Sequence, residues 1–415
     1  MGGPSQPYVP SDDDDAFVSD DDDLSFGFDP GFTSKLAVTA EERLAAVPGA
    51  GAERTAAGAD VETGEVADPS VGVAPLPPAF LVELTTSARA QCTRFNSDGS
   101  LIATGCEDGA VVVHHTATGQ PGAYRFDPKV HGDDEPGMCT ALRFVPASSA
   151  RDSQNVAIVA SSSGRIWHWH ATTGRCLGAR DGAPMVEADG NQIYALDVRG
   201  DGACFATAGY DGVVRVYDEA THKLKTTLKG EDGGIGGHTN RVFGLRYVRG
   251  DANVLVSGGW DNTLQVWDER CGTNSVRQIF GPHVCGDAID VVESAGGTNN
   301  CEILVGSWRD TNALQVWDIG SGRLVQDIPF GAIPGEKNCK LYSARFGKMP
   351  RCRGLVFAGG CGSNEARVID RDDGRCVARV SNLAAPVHSV DLSPNELIMA
   401  VTCADGVQLY SAPSV

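Results

Sequence analysis

The stretch "SGGWDNTLQVWDE", residues 257 to 269, decides how the rest of the chain is interpreted. An apolar run ends in small residues, "DN" supplies a turn, and "TLQVW" alternates apolar with polar side chains. Two β-favouring runs joined by Asp and Asn predict a β-hairpin. The stretch also places Ser257, Asp261 and Trp267 close together, as part of either a site of chemistry or a structural scaffold.

Six other segments repeat this pattern at intervals of roughly 40 to 55 residues. The clear repeats are "LIATGCEDGAVVVH" (101–114), "CFATAGYDGVVRVY" (204–217), "ILVGSWRDTNALQVW" (303–317) and "IMAVTCADGVQLY" (398–410). The weaker ones are "IVASSSGRIWHW" (158–169) and "LVFAGGCGSNEARVI" (355–369). An apolar strand precedes each hairpin, and a turn with a short outer strand follows each of the first six. Seven such four-stranded units predict an all-β, seven-bladed propeller over residues 79–411.

The outer strand of the seventh unit is expected to come from the N-terminal side. Only "SAPSV" (411–415) follows the last hairpin, whereas "AFLVELT" (79–85) stands unassigned before the first unit. An N-terminal strand added to the last blade would close the ring and cover both exposed sheet edges.

The hairpins resemble the WD40 repeat, and the resemblance extends over about residues 79–411. The fourth hairpin and the residues before it carry the family's full set of marks: Gly237-His238, Ser257, Asp261 and Trp267-Asp268. In that family the His, Ser, turn Asp and Trp form a buried hydrogen-bond network within a blade. The resemblance therefore implies that His238, Ser257, Asp261 and Trp267 are a structural network rather than a Ser/His/Asp catalytic site.

The other repeats depart from this pattern. The fifth keeps Asp310 and Trp317 but has Gly306 at the serine position. The first has His114 where the Trp would stand, and the sixth has no Asp at its turn. The chain is thus expected to be a divergent member of the family.

Composition favours a soluble intracellular scaffold. The 51 Gly suit many short strands and tight turns, and no run approaches the ~18 apolar residues of a membrane span. The 13 Cys are an odd number without any Cys-x-x-Cys pair, so we expect reduced thiols and no zinc site. A cytoplasmic location is expected, with the nucleus and the cilium as alternatives.

Charge argues against nucleic acid as a partner. The formal net charge is −20, and residues 1–30 hold nine Asp without a Lys or Arg. A phosphate-binding surface needs clustered positive charge. The basic stretches "HKLKTTLK" (222–229) and "RCR" (351–353) are interpreted as solvated blade edges. Neither nucleic acid nor membrane is an expected partner.

Two other patterns give no catalytic or cofactor site. His168 and His170 share a strand face, but no third metal ligand can be placed beside them. The Gly-rich loop "GEDGGIGGH" (230–238) leads from strand to strand, whereas a phosphate-binding loop leads from strand to helix. No nucleophile, base and oxyanion donors can be assembled. The protein is expected to be no enzyme and to need no cofactor.

Residues 1–78 differ from the rest of the chain. "SDDDD" occurs at 11–15 and 19–23 with Phe residues interleaved, and an Ala/Gly/Pro-rich stretch follows. Such a segment buries too little apolar surface to fold, so a disordered tail is predicted. It is either a solubilising tail or a docking motif for a basic partner. Ser11 and Ser19 precede the acidic runs and are candidate phosphorylation sites.

The resemblance also locates a partner-binding surface. In WD40 propellers the residue before the turn Asp lies on the rim around the channel, where partners often dock. The equivalent positions are Glu107, Ser162, Tyr210, Trp260, Arg309, Cys361 and Ala404. Tyr210, Trp260 and Arg309 belong to consecutive blades and are residue types enriched at binding hot spots.

We therefore expect a patch of Tyr210, Trp260 and Arg309, with Glu107 on the same rim and Asn240 and Arg241 nearby. It would bind other proteins within a multiprotein complex. The alternative for Trp260 is that it folds down over its own blade.

A second function is also open. "WDER" (267–270) matches the Trp-Asp-x-Arg box of WD40 substrate receptors in cullin-4 ubiquitin ligases. In that case Trp267, Asp268 and Arg270 would dock the ligase adaptor.

Overall fold

The computed structural model describes residues 77–414 except 132–134, 147–154, 178–185, 188–190, 231–235, 294–300 and 331–336. The acidic segment with Ser11 and Ser19 lies outside the described residues, so the boundary at residues 78 and 79 stays a prediction. Among the described residues, no helix is both long and apolar enough to cross a membrane.

The described strands form seven antiparallel sheets, the blades of a propeller. The first strand of the chain is β1 (Phe80–Leu84). Blade 1 contains β2 (Ala90–Phe95), β3 (Leu101–Cys106), β4 (Val111–His115) and β5 (Pro121–Phe126). Blade 2 contains β6 (Cys139–Phe144), β7 (Val156–Ser161), β8 (Arg165–His170), β9 (Arg175–Cys176) and β10 (Val186–Glu187). Blade 3 contains β11 (Ile193–Val198), β12 (Cys204–Gly209), β13 (Val214–Asp218) and β14 (Leu224–Leu228).

The remaining four blades follow in chain order. Blade 4 contains β15 (Val242–Tyr247), β16 (Val254–Gly259), β17 (Thr263–Asp268) and β18 (Arg277–Phe280). Blade 5 contains β19 (Ile289–Glu293), β20 (Cys301–Gly306), β21 (Leu314–Asp318) and β22 (Leu324–Ile328). Blade 6 contains β23 (Lys340–Phe346), β24 (Leu355–Cys361), β25 (Ala366–Asp370) and β26 (Cys376–Val380). Blade 7 contains β27 (Val387–Leu392), β28 (Ile398–Cys403) and β29 (Gly406–Ser411). The 3-10 helices are Pro128–His131 and Pro350–Cys352.

These sheets confirm the seven-bladed all-β propeller and each of the seven hairpins. They also confirm the closure, because β1 pairs antiparallel with β29 and completes a four-stranded seventh blade. Phe80 is opposite Tyr410 and Leu84 is opposite Val407. The Leu84 side chain is fully buried. The first strand of the propeller is therefore the outer strand of its last blade.

Blade 2 differs from the predicted four-stranded unit. Two strands of two residues each, β9 and β10, both pair with β8 and share the position of a single outer strand. The inner three strands of this blade pair as in the other blades.

The core lies between neighbouring sheets. All six residues of β3, β7 and β12 are buried, because these strands are covered on both faces, whereas β5 and β22 are mostly exposed. Between blades 1 and 2, the ring of Phe126 lies 5.6 Å from that of Trp167 and 5.9 Å from that of Trp169. None of the 13 Cys forms a disulfide. Packing between sheets rather than covalent cross-links therefore holds the blades together.

Removal of β1 should destabilise the whole ring, because it leaves unpaired backbone groups along β29 and an empty site at Leu84. We expect a chain that begins at Thr86 to aggregate or to melt well below one that begins at Pro77. Thermal denaturation and light scattering of the two purified chains measure the difference. Equal melting temperatures and equal solubility would contradict this assignment of β1.

Candidate interaction surface and central channel

A chain of hydrogen bonds joins the four marked residues of blade 4. The indole Nε1–H of Trp267 donates to Ser257 Oγ at 2.7 Å. His238 Nε2 lies 2.7 Å from the same oxygen, and His238 Nδ1 lies 2.8 Å from Asp261 Oδ2. A neutral imidazole satisfies every member if Ser257 O–H donates to Nε2 and Nδ1–H donates to the carboxylate.

The β16–β17 hairpin positions this network. Leu255 pairs with Trp267 across the two strands, and the turn contains Asn262 in the left-handed region, at φ 58°. Asn tolerates that conformation better than most residues. Burial on its own would raise the pKa of Asp261, but hydrogen bonds from His238, from Thr263 and from the Thr239 backbone N–H bring it below the ordinary value.

The serine of this network is closed to a substrate. The Ser–His–Asp wiring has the form of a hydrolase triad. Ser257, however, is fully buried, and its oxygen already accepts the Trp267 N–H. The arrangement is a buried structural link between the two strands of the hairpin and the loop that precedes β15.

Two other blades have the tryptophan without the serine. Trp169 pairs with Ala157 and Trp317 with Ile303, as Trp267 pairs with Leu255. Neither indole N–H has a hydrogen-bond partner among the described residues.

Our alignment of blade 5 at the serine position was wrong by one residue. Gly306 pairs with Leu314 as Gly258 pairs with Leu264. The residue that corresponds to Ser257 is therefore Val305, which cannot accept the indole N–H.

The strand of each blade that lines the central channel is called its inner strand; these are β2, β6, β11, β15, β19, β23 and β27. Each inner strand places one charged residue at the channel. In blade order these residues are Arg94, Arg143, Asp197, Arg246, Asp290, Arg345 and Asp391. Each Asp accepts a backbone N–H from the next blade: Asp197 from Tyr247, Asp290 from Phe346 and Asp391 from Phe95, at 2.9 to 3.0 Å. The carboxylates thus link neighbouring inner strands.

Positive and negative residues cannot alternate all the way around a ring with an odd number of blades. Two residues of the same charge, Arg94 and Arg143, are therefore neighbours. A further carboxylate, Asp287, lies among all four arginines. Its Oδ2 is 2.8 Å from Arg143 Nη2 and 2.6 Å from Arg345 Nη2, and its Oδ1 is 2.8 Å from Arg246 Nη2. Arg94 also contacts its Oδ2. We call Asp287 and the seven channel residues the charge ring.

Titration of the charge ring reflects this crowding. Burial lowers the pKa of Arg94, and the neighbouring charges of Arg143 and Arg345 lower it further. Burial alone would raise the pKa of Asp290, but the charges of Lys348, Arg345 and Arg246 hold it well below the ordinary value. Sequence reasoning missed the ring. Its signal was a charged residue at the same position of every apolar inner strand.

A row of aromatic side chains lies near the amino ends of the inner strands of blades 3 to 5. We call it the aromatic arc, and its members are Tyr194, Tyr210, Phe243, Trp260, His283 and Trp308. Successive ring centroids are 4.8 Å apart for Tyr194 and Phe243, 5.2 Å for Phe243 and Trp260, 6.2 Å for Trp260 and His283, and 6.4 Å for His283 and Trp308.

Two cations lie over this arc. The Arg241 guanidinium is 4.7 Å from the Tyr210 ring centroid and 5.2 Å from that of Trp260, and the Lys340 ammonium is 4.4 Å from that of Trp308. Tyr210 is 51% exposed, whereas Trp260 is half-buried by its neighbours. The structure thus brings Tyr210, Trp260 and Arg241 into one patch.

The equivalence of Arg309 with Trp260 was wrong. The backbone N–H of Trp308 donates to the His283 carbonyl at 2.8 Å, as the backbone N–H of Trp260 donates to the Arg241 carbonyl at 3.0 Å. The β20–β21 loop is longer than the β16–β17 loop, so Trp308 takes the rim position and Arg309 follows it. Arg309 stays near the arc, since its charge lowers the pKa of His283 after the larger effect of burial.

The remaining residues that the sequence predicted as sites belong neither to the charge ring nor to the aromatic arc. Asn240 is exposed, and its side-chain Oδ1 accepts a hydrogen bond from the backbone N–H of Arg241 at 2.8 Å. The backbone N–H of Glu107 donates to the Arg89 carbonyl. This bond is equivalent to the one from Trp260 to Arg241, but Glu107 belongs to blade 1. Arg270 is 56% exposed and binds Asp268 at 2.8 Å and Asp251 at 2.7 Å. His168 and His170 join no cluster of three or more potential metal ligands within the described part of the chain.

Trp267→Phe should lower the free energy of unfolding by about 1–3 kcal/mol more than Trp169→Phe. Both side chains are fully buried at the same position of a blade, but only Trp267 has a partner for its N–H. The difference isolates the hydrogen bond to Ser257 from the loss of ring volume. Urea denaturation of both variants measures it, and equal losses would show that the network contributes nothing.

Comparisons with known proteins agree with the fold. The sequence profile of the WD domain, G-beta repeat, matches residues 84–115, 184–218 and 226–268, which include the first three strands of blades 1, 3 and 4. The chain is similar to F-box-like/WD repeat-containing protein TBL1X from Mus musculus, with 26% identity over 39% of this chain and 31% of that protein. It is similar to apoptotic protease-activating factor 1 from Danio rerio, with 23% identity over 57% of this chain and 16% of the relative.

A third relative is protein transport protein SEC31 from Eremothecium gossypii, with 26% identity over 37% of this chain and 12% of the relative. The chain thus spans less than a third of the length of each of these three relatives. The repeat matches and the seven blades lead to one assignment. The chain is a divergent member of the WD40-repeat β-propeller family.

Proposed function

We propose that this protein is a non-enzymatic scaffold that binds other proteins through the aromatic arc. WD40 propeller proteins bind other proteins, often in complexes, and the arc has the side chains that such binding uses. Tyr, Trp and Arg are enriched among the residues that dominate binding energy. The observation that carries the proposal is the contact of the Arg241 guanidinium with the rings of both Tyr210 and Trp260.

This double contact prepares the surface for a partner. A guanidinium held over two aromatic faces has lost much of its side-chain freedom before binding, so less entropy is lost when a partner arrives. Lys340 over Trp308 repeats the arrangement on blade 5. The arc thus offers flat apolar area with fixed cations beside it, which suits a protein surface that combines an apolar anchor with a carboxylate.

The setting of this scaffold is a multiprotein complex in the cytoplasm. The relatives bear names from different processes, from an apoptotic factor to a protein of transport. Proteins that share one fold are expected to serve different processes when the fold provides a binding platform rather than a catalytic site.

The test is an affinity purification with the full-length protein and a Tyr210→Ala/Arg241→Glu variant. We expect its melting temperature to stay within about 2 °C, because Tyr210 is exposed, while the main partner is lost at least ~30-fold, as removal of a hot spot predicts. The matched control is Phe280→Ala. It removes an exposed aromatic of the outer strand β18, 70% exposed, and should retain the partner. Wild-type recovery by the folded double variant would contradict the proposal.

Arg270 offers the second candidate function, a substrate receptor of a cullin-4-type ubiquitin ligase. Its side chain is exposed and held in one orientation by Asp251 and Asp268. In the same purification, Arg270→Ala distinguishes the two functions. Loss of a ligase adaptor with Arg270→Ala, but not with the arc variant, would favour the receptor. Retention of every partner by Arg270→Ala favours the scaffold.

A further inference from the structure

The central channel contains a cavity on the side away from the aromatic arc. Its volume is about 860 Å³, and its walls are the carboxyl ends of the inner strands and the loops that follow them. The charge ring forms its inner end. This volume falls in the range of small-molecule sites, roughly 300–1,000 Å³.

Positive charge exceeds negative charge in the walls of this cavity. The lining cations are Arg94, Arg143, Arg246, Arg249, Arg345 and Lys348. The lining carboxylates are Asp197, Asp290 and Asp391. Asp287 behind the wall adds one carboxylate and still leaves an excess of two cations. The protein as a whole has a net charge of −20, so this cavity is opposite in sign to the rest of the chain.

We propose that the channel cavity binds a small, multiply charged anion that carries phosphate or carboxylate groups. The site is separate from the aromatic arc and does not depend on the proposed scaffold function.

The charge ring itself has four Arg and four Asp, so the excess of two cations comes from Arg249 and Lys348, and the ring contributes a local concentration of positive charge at Arg94 and Arg143. Arg94 and Arg143 are neighbours because seven blades cannot alternate charges, and their side chains are only 6% and 11% exposed. Like charges repel strongly where water is scarce. Arg143, Arg246 and Arg345 also lie within 4 Å of other carboxylates of the ring, whereas Arg94 has only the shared Asp287 as an ion-pair partner among the described residues. An anion in the cavity would relieve this repulsion.

Direct contacts would come from Arg249 and Lys348. Arg249 is exposed at the end of β15 and forms no ion pair with the described residues. Lys348 Nζ lies 2.6 Å from Asp290 Oδ1 and is 38% exposed. Both side chains line the cavity, so an anion can reach them without displacing the ring.

The rest of the wall indicates what such an anion is attached to. Apolar and aromatic residues also line the cavity, among them Phe95, Phe144, Tyr247, Phe346 and Met349. Ligand sites of this size combine apolar walls with a few fixed polar groups. The preferred ligand therefore carries its phosphate or carboxylate groups on a small organic body.

Calorimetric titration of the full-length protein tests the site. The probes are tripolyphosphate and citrate, each at constant ionic strength with chloride as the competing anion. We expect saturable binding of one equivalent by at least one probe. Binding of tripolyphosphate alone assigns a phosphate ligand, binding of citrate alone a carboxylate ligand, and binding of both any small polyanion.

Variants separate the cavity from general charge effects. Arg249→Ala should weaken the binding at least tenfold, and Arg249→Glu should abolish it, with melting temperatures unchanged in the absence of the probe. Arg375→Ala is the control, because it makes the same change in net charge at a residue outside the cavity with a side chain 71% exposed. Absence of saturable binding by both probes, or equal weakening by Arg249→Ala and Arg375→Ala, would overturn the proposal.

Discussion

Asp287 is the carboxylate that allows four arginines to share one channel. Inner strands of seven sheets meet there, and their charged residues are mostly buried. A buried charge is tolerated only when it is paired and hydrogen-bonded. An even ring could alternate Arg and Asp, but seven positions leave one arginine in excess. Asp287 makes the numbers equal, with four Arg and four Asp, although one carboxylate must then serve four guanidiniums.

The outer parts of the propeller depend less on any single polar link. Blade 4 has the complete Trp–Ser–His–Asp chain, whereas Trp169 in blade 2 and Trp317 in blade 5 lack a partner for the indole N–H. Those blades still form the same sheets, because neighbouring sheets bury apolar side chains against one another. The two ends of the channel then differ in chemistry. Aromatic rings with fixed cations lie at one end, and a cavity with excess positive charge lies at the other.

Much of the fold could be predicted because it is encoded locally. Each hairpin has its own turn and its own alternation of apolar and polar residues. The number of repeats predicted seven blades, and the outer strand missing from the last repeat identified β1. The blade 4 network followed from a motif in which all four residue types are present. Errors occurred where loop length changed. The longer β20–β21 loop moved Trp308 to the rim in place of Arg309, and Val305 rather than Gly306 corresponds to Ser257.

The charge ring was missed for a different reason. Its members are far apart in sequence, and each looks like an isolated charge at the middle of an apolar strand. Their proximity depends on the register of every inner strand at once. Asp287 precedes Asp290 by three residues, and only the geometry of the channel shows that its carboxylate reaches blades 1, 2, 4 and 6.

The most direct test of the charge ring is the free energy of unfolding of Asp287→Asn, measured by urea denaturation. The shape of the side chain is kept and its charge is lost, so we expect a decrease of about 3–5 kcal/mol. Adding Arg94→Met should restore most of it, because the remaining ring alternates three Arg with three Asp. A loss below about 0.5 kcal/mol, within the range of ordinary surface substitutions, or no recovery in the double variant, would contradict the account.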